Sequence, residues 1–497
     1  MKRFLVPGTL ALALSLASGA DASPLFELVG GTFGTAGYNG RVTGAGAAST
    51  YYNPALLGFS EQEFDVGVLT LSDQISMTLD GRPGGDVPLV VGDRTALDPR
   101  TRAPIPNDTA PTQWLQKGCK PAECNGFTLA PRPRQGSSAS GTTRQYATIG
   151  LVSRVLDQYL VLGLHAIVPV ADFTELDSFY NDQREQFFSN SLRPELYSDR
   201  LTATSLAFGA GSRITKMLSV GMSFTLSLTN AAHTATYVRD PADYKKLLLD
   251  NDVTVTTTVA PHFGVVFAPL ERLRISGTFH TVQKLELETG IVATLPNAAE
   301  SNATFKEVHD YVPWIAAIGA DFDLNPGSAH AVSIAWTTAY EAWSGYVDRH
   351  GERPEAAGEA FAWKDVITVS AGARYKHGPV RTYLDVTYHP SPVPLQTGRT
   401  NYVDNDRAGL TLGGEYEVKV LNHRLRFGVG AQAQRLFPRY QAKNDALIVD
   451  EFPDGSVDRD LKPIPGSRGL QTNNPGWPGF ASEGWILGGH LYASLVY

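Results

Sequence analysis

The stretch Leu218–Thr229 reads LSVGMSFTLSLT and alternates strictly between two classes of side chain. Its even positions, from Leu218 to Leu228, are all apolar, whereas its odd positions hold only Ser, Gly and Thr. An alternation of period two predicts a β-strand with one apolar face and one polar face. The outward faces of a soluble sandwich carry charged side chains, whereas small uncharged polar residues suit an enclosed lumen. The stretch therefore predicts a membrane-spanning strand whose apolar face meets lipid.

The same pattern recurs along the chain, up to the last fourteen residues. The candidate strands are 62–74, 146–156, 159–171, 201–213, 217–231, 255–268, 272–290, 308–321, 329–343, 364–376, 379–389, 406–418, 424–436 and 484–497. The connections between them alternate short and long, as in barrels with tight turns on one side and long loops on the other. We therefore predict an all-β fold, a 14-stranded antiparallel transmembrane β-barrel. Its lipid-facing belt would contact outer-membrane lipid and favours a monomer.

The composition argues against several other classes of protein. The 497 residues include 42 Lys+Arg and 50 Asp+Glu, a net charge of −8, which leaves no basic stripe for a nucleic-acid partner. Two cysteines are too few for a disulfide scaffold or a multi-cysteine zinc site. The sequence has no Gly-x-Ser-x-Gly, His-Glu-x-x-His or phosphate-loop motif. We expect no enzyme activity, no cofactor and no metal.

The chain divides into three segments. Residues 1–22 combine a basic start, an apolar run and small residues at positions 20 and 22, which predicts a signal peptide cleaved after Ala22. An N-terminal membrane anchor is the alternative, although the apolar run is shorter than the roughly 20 residues of a spanning helix. Residues 23–60 are rich in Gly and Ala and precede the first strand. Since a 14-stranded lumen is too wide for its own side chains to fill, we predict that 23–60 form a hatch inside a barrel of 61–497.

One motif in this predicted hatch resembles a known family. Asn53-Pro54-Ala55, within residues 49–57, is similar to the Asn-Pro-Ala signature of FadL/TodX-type outer-membrane transporters of long-chain fatty acids and hydrocarbons. Trp363-Lys364-Asp365, Ser391-Pro392-Val393-Pro394 and Asp404-Asn405-Asp406-Arg407 agree with it in order along the chain. The resemblance implies an outer-membrane location in a bacterium and passive uptake of hydrophobic molecules. It also implies capture by extracellular loops, an internal pocket and lateral exit beside a kinked third strand, with Asn53, Pro54 and Ala55 facing that kink. An ordinary Asn-Pro turn is the alternative for this motif.

Pro169 lies in the predicted third strand and cannot donate a ladder hydrogen bond. A proline within a closed barrel belongs at a bulge, which would supply the expected kink and gate. The alternative is that Pro169 marks the end of the strand.

Ligand capture requires exposed apolar side chains in the long loops. Candidates in two neighbouring loops are Phe179, Phe187, Phe188, Leu247, Leu248 and Leu249. Asp240-Pro241-Ala242-Asp243 is typical of a helix start before the three leucines. These side chains could instead form small cores within their own loops.

A carboxylate ligand would favour an arginine in the lumen, because the guanidinium binds carboxylates in a bidentate manner. The candidates are Arg381, Arg424 and Arg426, with Arg374 and Arg407 on similar faces. Cross-strand ion pairs with residues such as Asp385 and Glu417 are the alternative explanation.

Cys119 and Cys124 lie in the long proline-rich loop 75–145 and are expected to form a local disulfide in an oxidising compartment. Taken together, the sequence predicts an outer-membrane channel for a hydrophobic small-molecule ligand, with long-chain fatty acids as the expected cargo. A general porin or a surface adhesion protein on the same barrel is the alternative.

Overall fold

A computed structural model of the protein describes most of the chain from residue 25 to residue 497. The described residues are 25–44, 46–80, 90–91, 108–109, 137–139, 141–170, 201, 204–228, 233–239, 246–256, 259–294, 300–348, 351, 353, 362–398, 400, 402–444, 476 and 478–497.

Fourteen antiparallel strands form a closed barrel. They are β1 (Glu63–Leu79), β2 (Thr143–Leu156), β3 (Leu160–Pro169), β4 (Thr204–Arg213), β5 (Leu218–Leu228), β6 (Ala260–Leu270), β7 (Leu273–His280), β8 (Ile315–Asp323), β9 (His330–Glu341), β10 (Val366–His377), β11 (Val380–His389), β12 (Arg407–Val420), β13 (His423–Ala442) and β14 (Gly479–Val496). Each strand pairs with its neighbours in chain order, and β14 pairs with β1 to close the barrel. The predicted fold class is confirmed.

The polar faces of the strands point into the lumen and the apolar faces point outward. In β5, Ser219, Ser223 and Thr225 are fully buried, whereas Val220 and Met222 are exposed by 37% and 40%. The same alternation exposes apolar side chains on the outside of most other strands, among them Val68, Phe263, Ile318, Trp336, Leu384, Leu412, Val429 and Leu491. An exterior belt of this kind is unfavourable in water and is stable in lipid.

The connections differ at the two ends of the barrel. At one end, the described strands are joined by turns such as 157–159, 271–272, 378–379 and 421–422, and we call this the short-turn end. Asp157 and Leu421 have positive φ values of 48° and 54° there, a conformation that two-residue hairpins require. The other end carries the long connections and is called the long-loop end below.

The structure corrects two predicted strands, 272–290 and 308–321, and finds strands in the predicted connections 232–254 and 291–307. The segment 308–321 divides between the strand Glu300–Val312 and β8. The segment 272–290 is two strands, because β7 ends at His280 and a separate strand, Gln283–Thr294, follows. That strand joins His233–Arg239, Lys246–Thr256 and Glu300–Val312 in a four-stranded sheet that is separate from the sheet of the barrel wall. The break falls where Thr281 N donates to Pro261 O at 3.1 Å and the wall pairing ends. The alternation of side chains changes phase only at Val282 and Gln283, where Val282 is exposed by 36% and Gln283 is fully buried, and apolar residues return to odd positions from Leu285.

Smaller elements complete the described chain. Three short α-helices, α1 (Leu25–Val29), α2 (Gly40–Thr43) and α3 (Ser49–Tyr52), precede a 3-10 helix at Pro54–Phe59. A second 3-10 helix is Trp343–Gly345. Short strands are Val90–Val91, which pairs with Asp108–Thr109, and Ser137–Ala139, which pairs with β1. In the part of the chain that the structure describes, no helix combines the length and the apolar character needed to cross a membrane.

Candidate functional site

The segment Leu25–Phe59, called the lumenal segment below, contacts inward-facing side chains on opposite walls of the barrel. Its Ala55 O accepts a hydrogen bond from Ser219 Oγ of β5 at 2.6 Å. On the far wall, Gln434 Nε2 of β13 donates to Leu28 O at 2.7 Å, and Gly34 N donates to Tyr492 Oη of β14 at 2.9 Å. A segment that reaches both walls of a closed barrel lies within its lumen.

Asn53-Pro54-Ala55 starts the 3-10 helix of the lumenal segment. The Asn53 side chain is fully buried, and its Oδ1 accepts from Ala55 N at 3.1 Å. Its Nδ2 donates to Arg41 O at 2.9 Å, which ties the 3-10 helix to α2. Asn is a favoured N-cap because its carbonyl satisfies a backbone donor of the first turn. The motif therefore fixes the chain direction where the segment meets the wall.

A row of glycines in the barrel wall receives this motif. Gly211 of β4, Gly221 of β5 and Gly264 of β6 lie directly opposite one another across the three strands. A Cβ at Gly221 would come within 2.3 Å of Pro54 C, and one at Gly264 within 2.1 Å of Asn53 Oδ1. Only glycine permits a backbone approach this close. The motif therefore packs on β4, β5 and β6. The family resemblance implies instead a position that faces the third strand, β3.

The opposite wall holds the lumenal segment through charged side chains. Arg374 of β10 donates to Thr35 O at 3.1 Å and to Ala36 O at 2.8 Å, and it forms a bidentate ion pair with Asp385 of β11. Asp385 is fully buried and also accepts from Asn39 N at 3.2 Å. Buried charges are stable when they are paired and hydrogen-bonded, and both conditions hold here.

A second ion pair lies within the lumenal segment. Glu27 of α1 accepts from Arg41 Nη2 at 2.7 Å and from Tyr51 Oη at 2.7 Å. His280 Nδ1 of β7 lies 3.6 Å from the same carboxylate. Burial would raise the pKa of the Glu27 carboxyl, but Arg41, His280 and Tyr51 together hold that pKa well below its usual range. Glu27 therefore remains a carboxylate inside the barrel.

An aromatic cluster, called the rim cluster below, lies near the long-loop end. It consists of Tyr311, Trp343, Tyr346, Trp363 and Tyr402, all of them buried. The rings of Tyr346 and Trp363 stack with centroids 3.6 Å apart, and Tyr402 meets Trp363 edge-on at 5.4 Å. The cluster offers a large apolar surface with fixed ring orientations.

The three later sequence motifs meet at this cluster. Lys364 N, next to Trp363, donates to Pro392 O at 2.8 Å, and Ser391 Oγ donates to Asp404 Oδ2 at 2.6 Å. Arg439 of β13 donates to Asp404 O at 2.9 Å and to Val393 O at 2.6 Å. The motifs therefore fix the connections around the rim cluster, and their spacing in sequence did not reveal this joint role.

A cavity of about 90 Å³ separates the rim cluster from the lumenal segment. Its lining combines the polar or charged residues Glu27, Tyr38, Arg41, Tyr52, Glu341, His389, Arg407 and Gln434 with the apolar residues Leu28, Val312, Ile315, Ala339 and Trp343. Trp343 belongs to both the rim cluster and the cavity, and its Nε1 donates to Glu341 Oε2 at 2.8 Å. Sequence reasoning placed Arg407 on a lumen face but did not find Arg41 or His389, because their partners are distant in sequence.

The arginines predicted as ligand anchors lie elsewhere, toward the short-turn end. Arg381 pairs with Glu415 at 2.8 Å, Arg424 with Glu61 at 2.7 Å, and Arg426 with Glu417 at 2.8 Å. Burial would raise the pKa of the Glu61 carboxyl, but hydrogen bonds from Arg424 and Arg426 lower that pKa. The structure thus matches the cross-strand ion pairs that the sequence left as the alternative, and it does not bring these arginines to the 90 Å³ cavity.

Pro169 is the last residue of β3, at the long-loop end. The register of β3 against β2 is regular from Arg154↔Val161 to Tyr146↔Pro169, and the one irregularity lies between Arg154 and Leu156. The bulge expected at Pro169 is thus not present in this pairing, and the strand-end alternative fits the structure. Because proline has no N–H, it can lie at the end of a ladder without disturbing the residues before it.

The remaining predicted residues fall in two groups. Leu247, Leu248 and Leu249 lie in the strand Lys246–Thr256 of the outer sheet, where a helix start was expected. Phe179, Phe187, Phe188, Cys119 and Cys124 lie outside the described residues. Their roles in capture and in a disulfide stay predictions.

Comparison with known proteins gives matches among solved structures only. No protein-family model matches the chain, and no curated protein matches it. A FadL homologue of Pseudomonas aeruginosa is similar with a TM-score of 0.48 and 13% identity, covering 97% of this chain and 99% of that one. The toluene transporter TodX of P. putida gives 0.45 and 11%, covering 91% and 94%. The toluene transporter TbuX of Ralstonia pickettii gives 0.40 and 12%, covering 96% and 99%.

Proposed function

We propose that the protein is an outer-membrane channel for the passive uptake of hydrophobic molecules. The observation that carries the proposal is the combination of a lipid-compatible exterior with a lumen that contains the segment Leu25–Phe59. An open porin would leave its lumen free for ions, whereas this segment obstructs it. We infer that residues 23–60 act as a hatch, and that residues 1–22 are removed as a signal peptide.

The proposed route begins at the rim cluster. Apolar ring surface at the long-loop end is supplied by Tyr346, Trp363 and Tyr402. Trp343 of the same cluster also lines the 90 Å³ cavity and so connects the two. Ligand sites commonly combine an apolar surface with a few fixed polar groups. Long-chain fatty acids are the proposed cargo, since an alkyl chain suits the rim cluster and a carboxyl group suits the arginine and histidine side chains that line the cavity. Phe179, Phe187, Phe188 and Leu247–Leu249 are proposed to extend the apolar surface for capture.

The proposed exit is lateral, beside β3. Two features support this choice. β3 is paired with β4 only from Val161 to Ile167, so its last residues, including Pro169, extend beyond that pairing. His165 of β3 is fully buried and contacts Phe26 and Phe33 of the lumenal segment at ring distances of 4.9 and 5.3 Å. A shift of the lumenal segment would therefore expose the inner side of β3 near the place where its pairing with β4 ends.

Uptake in cells tests the route. A Trp363→Ala variant should lose most uptake of labelled oleate, because truncation of a buried aromatic anchor removes stacking and apolar contact. The matched control is Trp336→Ala, which removes a tryptophan exposed by 46% on the lipid-facing side of β9. Uptake should persist in that control. Equal loss in both variants, or normal uptake in both, would argue against a route through the rim cluster.

Cargo and obstruction are tested by a second pair of measurements. Labelled oleate and labelled toluene are compared in cells that carry the wild-type protein or a variant without residues 23–40. Uptake of oleate alone supports fatty acids as cargo, whereas equal uptake of both supports a less selective hydrophobic route. In planar bilayers the truncated variant should conduct ions freely. Free conductance through the intact protein would instead identify a porin.

A further inference from the structure

The inner face of β7 carries a column of polar side chains that the proposed cargo route does not use. Ser276, Thr278 and His280 occupy alternate positions and are exposed by only 2%, 8% and 1%. Their direct neighbours on β8 are Gly319, Ala317 and Ile315, and these residues offer no polar side chain to the column. The wall therefore buries hydrogen-bonding groups beside apolar ones.

Several atoms of this column have no hydrogen-bond partner among the described residues. They are Ser276 Oγ, Thr278 Oγ1 and Oε1 of Gln283, whereas His280 Nδ1 faces Glu27 at 3.6 Å. Gln283 is fully buried just beyond His280, and its Nε2 lies 3.2 Å from His262 Nε2 of β6. The His262 and His280 rings are 4.1 Å apart. Buried polar atoms are almost always hydrogen-bonded, and ordered water serves where protein groups do not.

The column lies between two cavities. At the end toward the rim cluster, His280 Nδ1 lies 3.6 Å from Glu27, and both Glu27 and Ile315, the residue opposite His280, line the 90 Å³ cavity. At the other end, the next inward residue of β7 is Arg274, which pairs with Asp321 and lines a cavity of about 280 Å³ with it. Alternate side chains along a strand are ~6.8 Å apart, a gap that one or two water molecules bridge. The polar atoms are thus spaced for a continuous chain of water.

We propose that this column conducts water in single file past the lumenal segment. A cargo molecule that enters an obstructed barrel must displace water, and the column gives that water a way out toward the short-turn end. Hydroxyl and imidazole groups bind water through hydrogen bonds. The charged groups at the two ends of the column are paired, Glu27 with Arg41 beside His280 and Asp321 with Arg274 beyond Ser276. This activity goes beyond the proposed uptake and does not depend on which cargo is carried.

Osmotic shrinkage of proteoliposomes in a stopped-flow instrument tests the proposal. The wild-type protein should shrink vesicles faster in a sucrose gradient than protein-free vesicles do, with no release of entrapped KCl. The Thr278→Val variant keeps the shape of the side chain and removes its hydroxyl. Loss of one hydrogen-bonding position should lower the water permeability per channel by about tenfold.

The matched control is Thr411→Val on β12, across the barrel. Thr411 is also buried, but its hydroxyl already donates to Ala431 O at 3.2 Å. The water permeability of the Thr411→Val variant should equal that of the wild type. Folding of each variant is verified by circular dichroism before the assay. Equal permeability of Thr278→Val and Thr411→Val would overturn the proposal. So would a wild-type rate equal to that of empty vesicles, or rapid release of KCl from intact protein.

Discussion

The two walls that hold the lumenal segment differ in the way they bind it. On β4–β6, three glycines let the backbone of Asn53-Pro54-Ala55 lie directly on the strands, so the fit depends on shape. On β10 and β11, Arg374 and Asp385 reach inward and bind backbone groups of residues 35–39 by charge and hydrogen bonds. The close packing of backbone on the glycines leaves no space for an added atom. The hydrogen bonds of Arg374 and Asp385, in contrast, can break and re-form. We therefore expect movement of the segment to begin at the charged wall.

The largest effect is expected at the charged wall. Arg374→Met would leave Asp385 buried without its partner, and breaking a buried ion pair costs about 3–5 kcal/mol of unfolding free energy. Urea unfolding in detergent measures the loss. The double variant Arg374→Met, Asp385→Leu should recover much of it, because no isolated charge then remains. If the double variant is as unstable as the single one, the pair does not account for the effect.

A smaller effect is expected at the glycine row. Gly221→Ala places a Cβ at 2.3 Å from Pro54 C, which is backbone and cannot rotate away. Overpacking of this kind costs about 1–3 kcal/mol, and the lumenal segment should become more accessible to protease. Gly489→Ala is the control, since its added Cβ would meet no atom closer than 3.8 Å. Equal protection of the two variants would mean that the close contact does not hold the segment.

Loss of the cap should have a still smaller effect. Asn53→Ala removes the acceptor for Ala55 N and the donor to Arg41 O. The loss of an N-cap costs about 1 kcal/mol. Asn422→Ala, in the exposed turn after β12, is the comparison and should leave the urea midpoint unchanged. A shift in Asn422→Ala as large as that in Asn53→Ala would contradict a capping role.

The smallest effect appears only in acid. Because the pKa of Glu27 is lower in the folded protein than its usual value near ~4.3, its contribution to stability is fully present above that value. The contribution is lost as the pH falls toward the lowered pKa. The wild type should therefore lose stability relative to Glu27→Gln between about pH 4 and the acid limit of the measurement. Parallel curves for the two proteins would show that Glu27 is not held as a carboxylate.

The strands were predictable because the alternation of side chains depends only on residues that are close together in the sequence. Ser219 and Val220 point to opposite sides by the geometry of any β-strand, and lipid reverses the usual preference for polar residues outside. The boundary at His280 was not predicted, since the alternation of side chains is interrupted only at Val282 and Gln283 and it is the pairing partners that separate the two strands.

The site was predictable only in part. Asn53-Pro54-Ala55 was recognised in the sequence as a motif. Its glycine partners come from three strands, and the sequence does not show that these glycines lie opposite one another. Arg426 was identified as an inward cation beside Glu417, which lies directly opposite it on β12, yet its second pairing, with Glu63 of β1, depends on closure of the barrel. Arg41 and His389 were missed because each acquires its surroundings from residues far away in the chain.

The closing seam has a consequence for assembly. β14 pairs with β1 from Glu63↔Val496 to Leu79↔Phe480, and with β13 along most of the same length. These two neighbours are far apart in sequence, so a chain still lacking residues 479–497 would carry two unsatisfied strand edges at once. Unpaired edges recruit other chains and lead to aggregation. Only a chain that includes β14 can therefore close into the barrel, because this strand satisfies the edges of β1 and β13 together.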